Sequence, residues 1–248
     1  MPAVSGSKYL VQAGWDDVPH LDEQTKQELL NATPPYLRAA RTKGEPSLGA
    51  GAIYPIPVSE ISVAPFLVPD HWPRSYALDV GWKRTAALWM AVDPVTGVCY
   101  AYSEHYMGQA VPVVHAEAIK SRGAWVPGVM DYAAHSRSQR DGETLAAEYE
   151  ELGLQLSNAN KAVDAGIQAV WQLLQGGRLK VFTTLGNFLA EYQLYRRDEN
   201  GRIVKENDHL MDCLRYWVMS GREIATVRPQ MLDVIGAGGI RAADGVGY

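Results

Sequence analysis

The chain has 248 residues, 47% of them hydrophobic, with 23 basic against 28 acidic side chains and a formal net charge of −5. That apolar content can bury a substantial core, yet no run reaches the ~18 apolar residues of a membrane span, and Met1-Pro-Ala-Val-Ser5 lacks a signal peptide's apolar stretch. Two cysteines, Cys99 and Cys213, argue against a disulfide framework or a cysteine-based zinc site and fit a reducing cytoplasm, while the net acidity neither advertises nor forbids nucleic-acid binding.

In chain order, residues 1–72 read as an N-terminal helical arm and linker. Asp22 is placed to cap a helix running to Leu30, and Pro34-Pro35 to open a second one over 36–41. The stretch 42–72 is rich in Gly and Pro around a short apolar segment at 61–68, a linker's composition and not that of an independent core. An α/β pattern fills 73–225. Strands are expected at 76–80, 85–92 and 98–106, the last two joined by the turn Asp93-Pro-Val-Thr-Gly97 as an antiparallel hairpin. Then come a helix at 113–122, a short strand at 128–131, a helix at 142–152, a strand at 154–157 and an amphipathic helix at 164–175 ending on Gly176-Gly177. A strand at 179–182, a helix at 185–195, a charged turn at 197–204 and a closing helix at 208–220 complete it. Antiparallel hairpin strands followed by parallel β-α-β units predict a mixed sheet flanked by helices. Residues 226–248 end in Gly236-Ala-Gly-Gly239 and Gly245-Val-Gly-Tyr248 and read as a flexible C-terminal tail. There is no internal repeat.

Acids at the ends of apolar strands are the chemically informative residues. Asp79 closes Ser75-Tyr-Ala-Leu-Asp-Val-Gly81, and Gly81 leaves room for a ligand to approach. Asp131 closes Gly128-Val-Met-Asp131 in the same way, at the carboxyl end of a strand where α/β sheets bind ligands. Each has a plain alternative, Asp79 as a turn former and Asp131 as the cap of a following turn. Asp212 lies inside a helix, with His209 three residues earlier on the same face. Its plain alternative is a solvated face on which it pairs with Arg215 or Lys205. Asp208, one turn earlier, reads as a charge favoured near the helix N-terminus.

Together, Leu78-Asp-Val-Gly81, Val129-Met-Asp131 and Asn207-Asp-His-Leu-Met-Asp-Cys-Leu-Arg-Tyr216 resemble the nuclease domain of the large terminase subunit of tailed bacteriophages, in the ribonuclease H-like superfamily. The resemblance runs from about residue 76 to 218, and its last segment is the most specific. Upstream, Trp15-Asp-Asp-Val-Pro-His-Leu21 and the stretch from Arg38 through Gly51 look like the motor–nuclease junction. No Gly-x-x-x-x-Gly-Lys-Ser/Thr loop occurs, so the ATPase motor is expected elsewhere in a longer protein. The resemblance implies a metal-dependent endonuclease cutting double-stranded viral DNA during genome packaging. Asp79, Asp131 and Asp212 would hold two Mg²⁺ or Mn²⁺ ions, roughly 4 Å apart. His209 would act as a weak ligand, a proton-handling group or a donor to phosphate, unless it merely starts its helix. It further implies portal protein and small terminase subunit as partners, and the cytoplasm of the infected bacterial host as location.

Further DNA-binding candidates are Lys83 and Arg84 in the turn after the first acid, His135, Arg137 and Arg140 in the polar loop after the second, and Lys161; each reads equally as a solvated charge. Most tryptophans read as core, Trp82 beside the first acid being the exception, and Glu191 reads as a surface charge or an extra acid. Two other functions compete. A non-catalytic interaction module would use the acids structurally and dock on portal or small subunit. An actin or sugar-kinase type phosphotransferase also begins with Asp-x-Gly, but Gly176-Gly177 comes too early for its adenosine loop.

Overall fold

The Asp22 carboxylate accepts the Thr25 backbone N–H at 2.8 Å and the Thr25 hydroxyl at 3.0 Å, and so caps helix α1 (Glu23–Ala32). The computed structural model describes residues 3–5, 8–10, 14–18, 20–32, 42–43, 51–131, 145–198 and 200–229. The expected helix at 36–41 and most of the tail fall outside these. Ahead of α1, β1 (Ala3–Ser5) and β2 (Lys8–Leu10) pair as an antiparallel hairpin not foreseen from the sequence.

Helix α2 (Val58–Ile61) leads directly into β3 (Ser62–Val63), within the stretch whose Gly and Pro content suggested a linker. That stretch is anchored: Tyr54, Ile61 and Val68 are buried in the main core. Composition missed this because the apolar anchors are spaced singly, with no period to flag them.

Next come three antiparallel neighbours, β4 (Arg74–Asp79), β5 (Thr85–Val92) and β6 (Cys99–Met107). The β5–β6 turn is built by Asp93, whose carboxylate accepts the Val95 N–H at 2.9 Å and the Thr96 hydroxyl at 2.6 Å, and by Gly97 at φ 71°. Then follow α3 (Pro112–Lys120), β7 (Gly128–Met130), α4 (Leu145–Glu151), β8 (Leu156–Asn158), α5 (Val163–Gln175), β9 (Leu179–Phe182), α6 (Gly186–Leu194) and α7 (His209–Tyr216). The strands form one seven-stranded sheet in the order β3-β9-β6-β5-β4-β7-β8. β7 runs parallel to β4 and β8 parallel to β7; β9 runs parallel to β6 and β3 parallel to β9. The expected mixed sheet is present.

Strand alternation divides the core in two. Ala77, Ala86, Leu88, Met90 and Val129 face α5, α6 and α7. Tyr76, Leu78, Ala87, Trp89 and Met130 face α3 and α4 on the other side. The chain beyond Tyr216 winds as a π-turn over Trp217–Gly221, which ends the regular helix earlier than expected. Ser75 ties this turn to β4: its hydroxyl donates to the Gly221 carbonyl at 2.6 Å and accepts the Trp217 indole N–H at 2.8 Å.

Candidate active site

The β4–β7 register pairs Leu78 with Met130, so Asp79 and Asp131 follow side by side at the carboxyl ends of neighbouring parallel strands. Such strands lie about 4.8 Å apart. By alternation both acids belong to the face carrying Ala77 and Val129, the face covered by α7. Their side chains are 18% and 11% exposed, sheltered yet reachable from the rim.

Helix α7 brings the third acid. Asn207 takes φ 54°, a left-handed turn that Asn tolerates, and swings the chain into the helix at Asp208. Asp208 occupies the N-cap position, but its side chain makes no capping bond. The helix start is held by Glu191 of α6 instead. Glu191 is only 2% exposed; it accepts the Leu210 backbone N–H at 2.6 Å and the Tyr106 hydroxyl at 2.6 Å. A carboxylate there also suits the positive end of the helix dipole. Burial pushes the Glu191 carboxyl up, and the hydrogen bonds from Tyr106 and Leu210 oppose that push. Its expected place on the surface is therefore corrected. The usable signal was its neighbourhood, since Phe188, Tyr192 and Tyr195 lie three before, one after and four after it, all buried.

His209 and Asp212 project from the first turn of α7 toward the acids. His209 Nδ1 lies 2.8 Å from Asp79 Oδ2. Burial pushes the Asp79 carboxyl above the usual carboxylate range, His209 pulls it back, and the nearby Asp212 and Asp208 charges add to the push. The hydrogen bond to Asp79 raises the His209 imidazole above its ordinary value, against the effect of burial. Asp212 forms an ion pair with the buried Arg215, and Lys205 Nζ lies 3.5 Å from its other oxygen. Lys205 also reaches Asp208 at 3.1 Å. Lys161 Nζ stands 3.4 Å from both Asp131 oxygens.

Each of the three acids is thus engaged by a basic side chain, including the Arg215 and Lys205 partners foreseen for Asp212. Among the described residues, no three His, Cys, Asp or Glu side chains stand close enough to hold a metal ion as placed. The donor chemistry still fits a hard divalent cation: carboxylate oxygens from neighbouring elements, crowded enough that the charges on Asp212 and Asp208 raise Asp79.

The flanking cations divide. Lys83 is exposed in the β4–β5 turn, whereas the Arg84 guanidinium lies 4.3 Å over the Tyr106 ring and so joins the Tyr106–Glu191 support of α7. His135, Arg137 and Arg140 lie outside the described residues. Trp89 and Trp217 are buried as expected, while Trp82 is 69% exposed.

Residues 77–220 match the model of the terminase RNaseH-like domain family. The chain belongs to that family. This terminase RNaseH-like chain is 32% identical over 228 residues to the large terminase subunit of Salmonella phage P22, covering 88% of this chain and 45% of that protein. The chain spans about half the length of the curated relatives it matches. The structure of the P22 large terminase nuclease domain aligns with a TM-score of 0.65 at 31% identity, covering 72% of this chain and 96% of that one. The large terminase nuclease of the thermophilic phage G20c, solved with bound magnesium, aligns with a TM-score of 0.50 at 13% identity over 70% and 99% of the two chains, a likeness of fold. The ribonuclease H-like architecture expected from the motifs is the one observed.

Proposed function

We propose that this chain is the endonuclease part of a DNA-packaging enzyme, cutting double-stranded viral DNA by metal-dependent phosphodiester hydrolysis at Asp79, Asp131 and Asp212. The single observation that carries the reading is the register of β4 and β7, which sets two strand-end carboxylates together beneath the helix bearing the third. Neither cysteine offers a nucleophile to the site, since both are buried. When bound, two Mg²⁺ or Mn²⁺ ions supply the Lewis acidity that polarises the phosphate and makes water a nucleophile near neutral pH.

The chain's own residues divide the remaining work. Asp79, Asp131 and Asp212 would hold the ions, whose positive charge offsets the burial and the carboxylate repulsion that raise Asp79. Lys161, 55% exposed beside Asp131, orients a phosphate oxygen. His209 is one-third exposed and held toward its protonated form by Asp79; its Nε2–H is offered to the phosphate or to the departing 3′ oxygen. Lys83 adds backbone attraction that does not depend on base sequence. An ATPase motor in the full-length protein, portal protein, small terminase subunit and the infected host's cytoplasm belong to the same reading.

One observation favours a second reading. Arg215, Lys205 and Lys161 already satisfy Asp212 and Asp131, as they would in a structural module that docks on portal or small subunit. Supercoiled plasmid incubated with Mn²⁺, with EDTA as control, separates them. The nuclease nicks the plasmid, and Asp79→Ala or Asp131→Ala reduces nicking by a factor of ~10² or more. No nicking with intact portal binding selects the docking module, and ATP turnover without cutting selects a phosphotransferase.

A further inference from the structure

Asp212 divides its two oxygens between cations of opposite character. Oδ1 pairs with Arg215, whose side chain is 2% exposed and whose stem packs against α5 at Gly166. Oδ2 faces Lys205 Nζ at 3.5 Å, and that side chain is 59% exposed. The same ammonium stands 3.1 Å from Asp208 Oδ2, on a buried carboxylate that caps no helix N–H. One solvent-facing cation thus bridges two acids a helical turn apart, on the helix that brings the third acid to the strand ends.

The two cations differ in what their removal costs. Freeing Oδ1 would leave a guanidinium buried without its charge partner, which is strongly unfavourable. Freeing Oδ2 moves an ammonium that already meets solvent, and an exposed pair of this kind contributes little. Asp212 can therefore offer a divalent ion only Oδ2, and only when Lys205 lets go. The backbone keeps the released ammonium close. The Val204 N–H donates to the Arg196 carbonyl at 3.0 Å, Ile203 pairs with Arg197, and Asn207 at φ 54° turns the chain into α7. Lys205 sits between these two fixed points.

We infer that Lys205 exchanges with the divalent ion at Asp212 Oδ2 and then contacts a phosphate of the DNA at the site. The inference rests on the nuclease reading above and deepens it, since it says how an acid already satisfied by basic side chains accepts an ion. Before exchange, Lys205 offsets the repulsion between Asp208 and Asp212. After it, Asp208 remains as the anchor that keeps the ammonium beside His209. A compact charge with three donors on a flexible stem suits a phosphate oxygen and needs no base readout. DNA therefore meets one more free cation only where the acids are already filled.

The test uses the 248-residue chain and two readouts that need no cutting. Mn²⁺ binding without DNA is followed by the electron paramagnetic resonance of the free ion. Binding of a short DNA duplex is followed by fluorescence anisotropy in EDTA and in Ca²⁺, a hard cation that takes the same oxygen ligands. Lys205→Met is expected to bind Mn²⁺ about fivefold more tightly, because the competing ammonium is gone. It is expected to bind DNA about fivefold more weakly in Ca²⁺, yet as well as wild type in EDTA. Lys205→Arg is expected to restore DNA binding in Ca²⁺. Arg202→Met, which removes an equal charge from the exposed turn before it, is expected to change Mn²⁺ affinity by about twofold or less. Unchanged circular dichroism verifies that each variant is folded. Mn²⁺ affinity in Lys205→Met equal to or below wild type overturns the exchange, and a DNA deficit of the same size in EDTA and in Ca²⁺ overturns the transfer to phosphate. A wild type that nicks no plasmid in Mn²⁺, while both shifts appear, removes the nuclease reading and leaves the exchange standing.

Discussion

Glu191 carries a charge where only a paired charge can stay, and its loss should show on α7. Glu191→Ala strands the Leu210 N–H and the Tyr106 hydroxyl together, so urea unfolding should give a loss of about 3 kcal/mol. Tyr106→Phe removes one of those bonds and should cost about 1 kcal/mol. An unchanged midpoint for Glu191→Ala would mean that α7 is held by packing alone. His209 makes a separate prediction, set by pH. Its folded-state pKa is raised, so its contribution is complete below the ordinary 6.5 and fades as pH rises through the higher folded value. The stability gap between wild type and His209→Gln should therefore be wider at pH 6 than at pH 9; a gap independent of pH would show that the Asp79 contact carries no charge. These residues also mark the reach of sequence reading. The places of Asp79 and Asp131 at the ends of their strands were legible because each acid closes a short apolar run, although each also had a plain turn-forming explanation. Glu191 and Arg215 were not, because a charged residue on a helix ordinarily faces water. Only the aromatic residues spaced around Glu191 hinted otherwise.

At the level of elements, β7 and β4 fit closely at Gly128. A Cβ on Gly128 would fall 2.3 Å from the Tyr76 ring, which is buried and stacked 5.4 Å from Trp89 and so has nowhere to retreat. Gly128→Ala should force β7 away, cost about 2 kcal/mol or more, and reduce nicking through Asp131. Wild-type activity in that variant would disconnect the strand pairing from the chemistry. The strands at 85–92 and 179–182 were read at their observed bounds because continuous apolar runs between turn residues leave little choice. Within the stretch read as a linker, β3 was not foreseen because it exists only by pairing with β9, more than a hundred residues later. No local pattern encodes that partner. The π-turn at Trp217–Gly221 depends likewise on Ser75, far away in the chain.

Across the whole molecule, charge sets the response to solution conditions. Crowded carboxylates relieved by divalent ions predict that Mn²⁺ raises the melting temperature, by about 2.7 kcal/mol of stabilisation at a hundredfold excess over Kd. The rise should be absent in Asp79→Ala, and a flat response in wild type would leave the acids without a metal role. With a net charge of −5, binding to DNA should be weak and should fall steeply with added salt. The in-register pairing of Leu78 with Met130 has one more consequence. Side chains alternate across a strand, so a single codon gained or lost between Gly128 and Asp131 would turn the second acid to the opposite side of the sheet. Such a lineage would lose its blade, because the buried Val129 and Met130 would change sides with the acid. Insertions and deletions among descendants of this gene should accordingly gather outside that four-residue window.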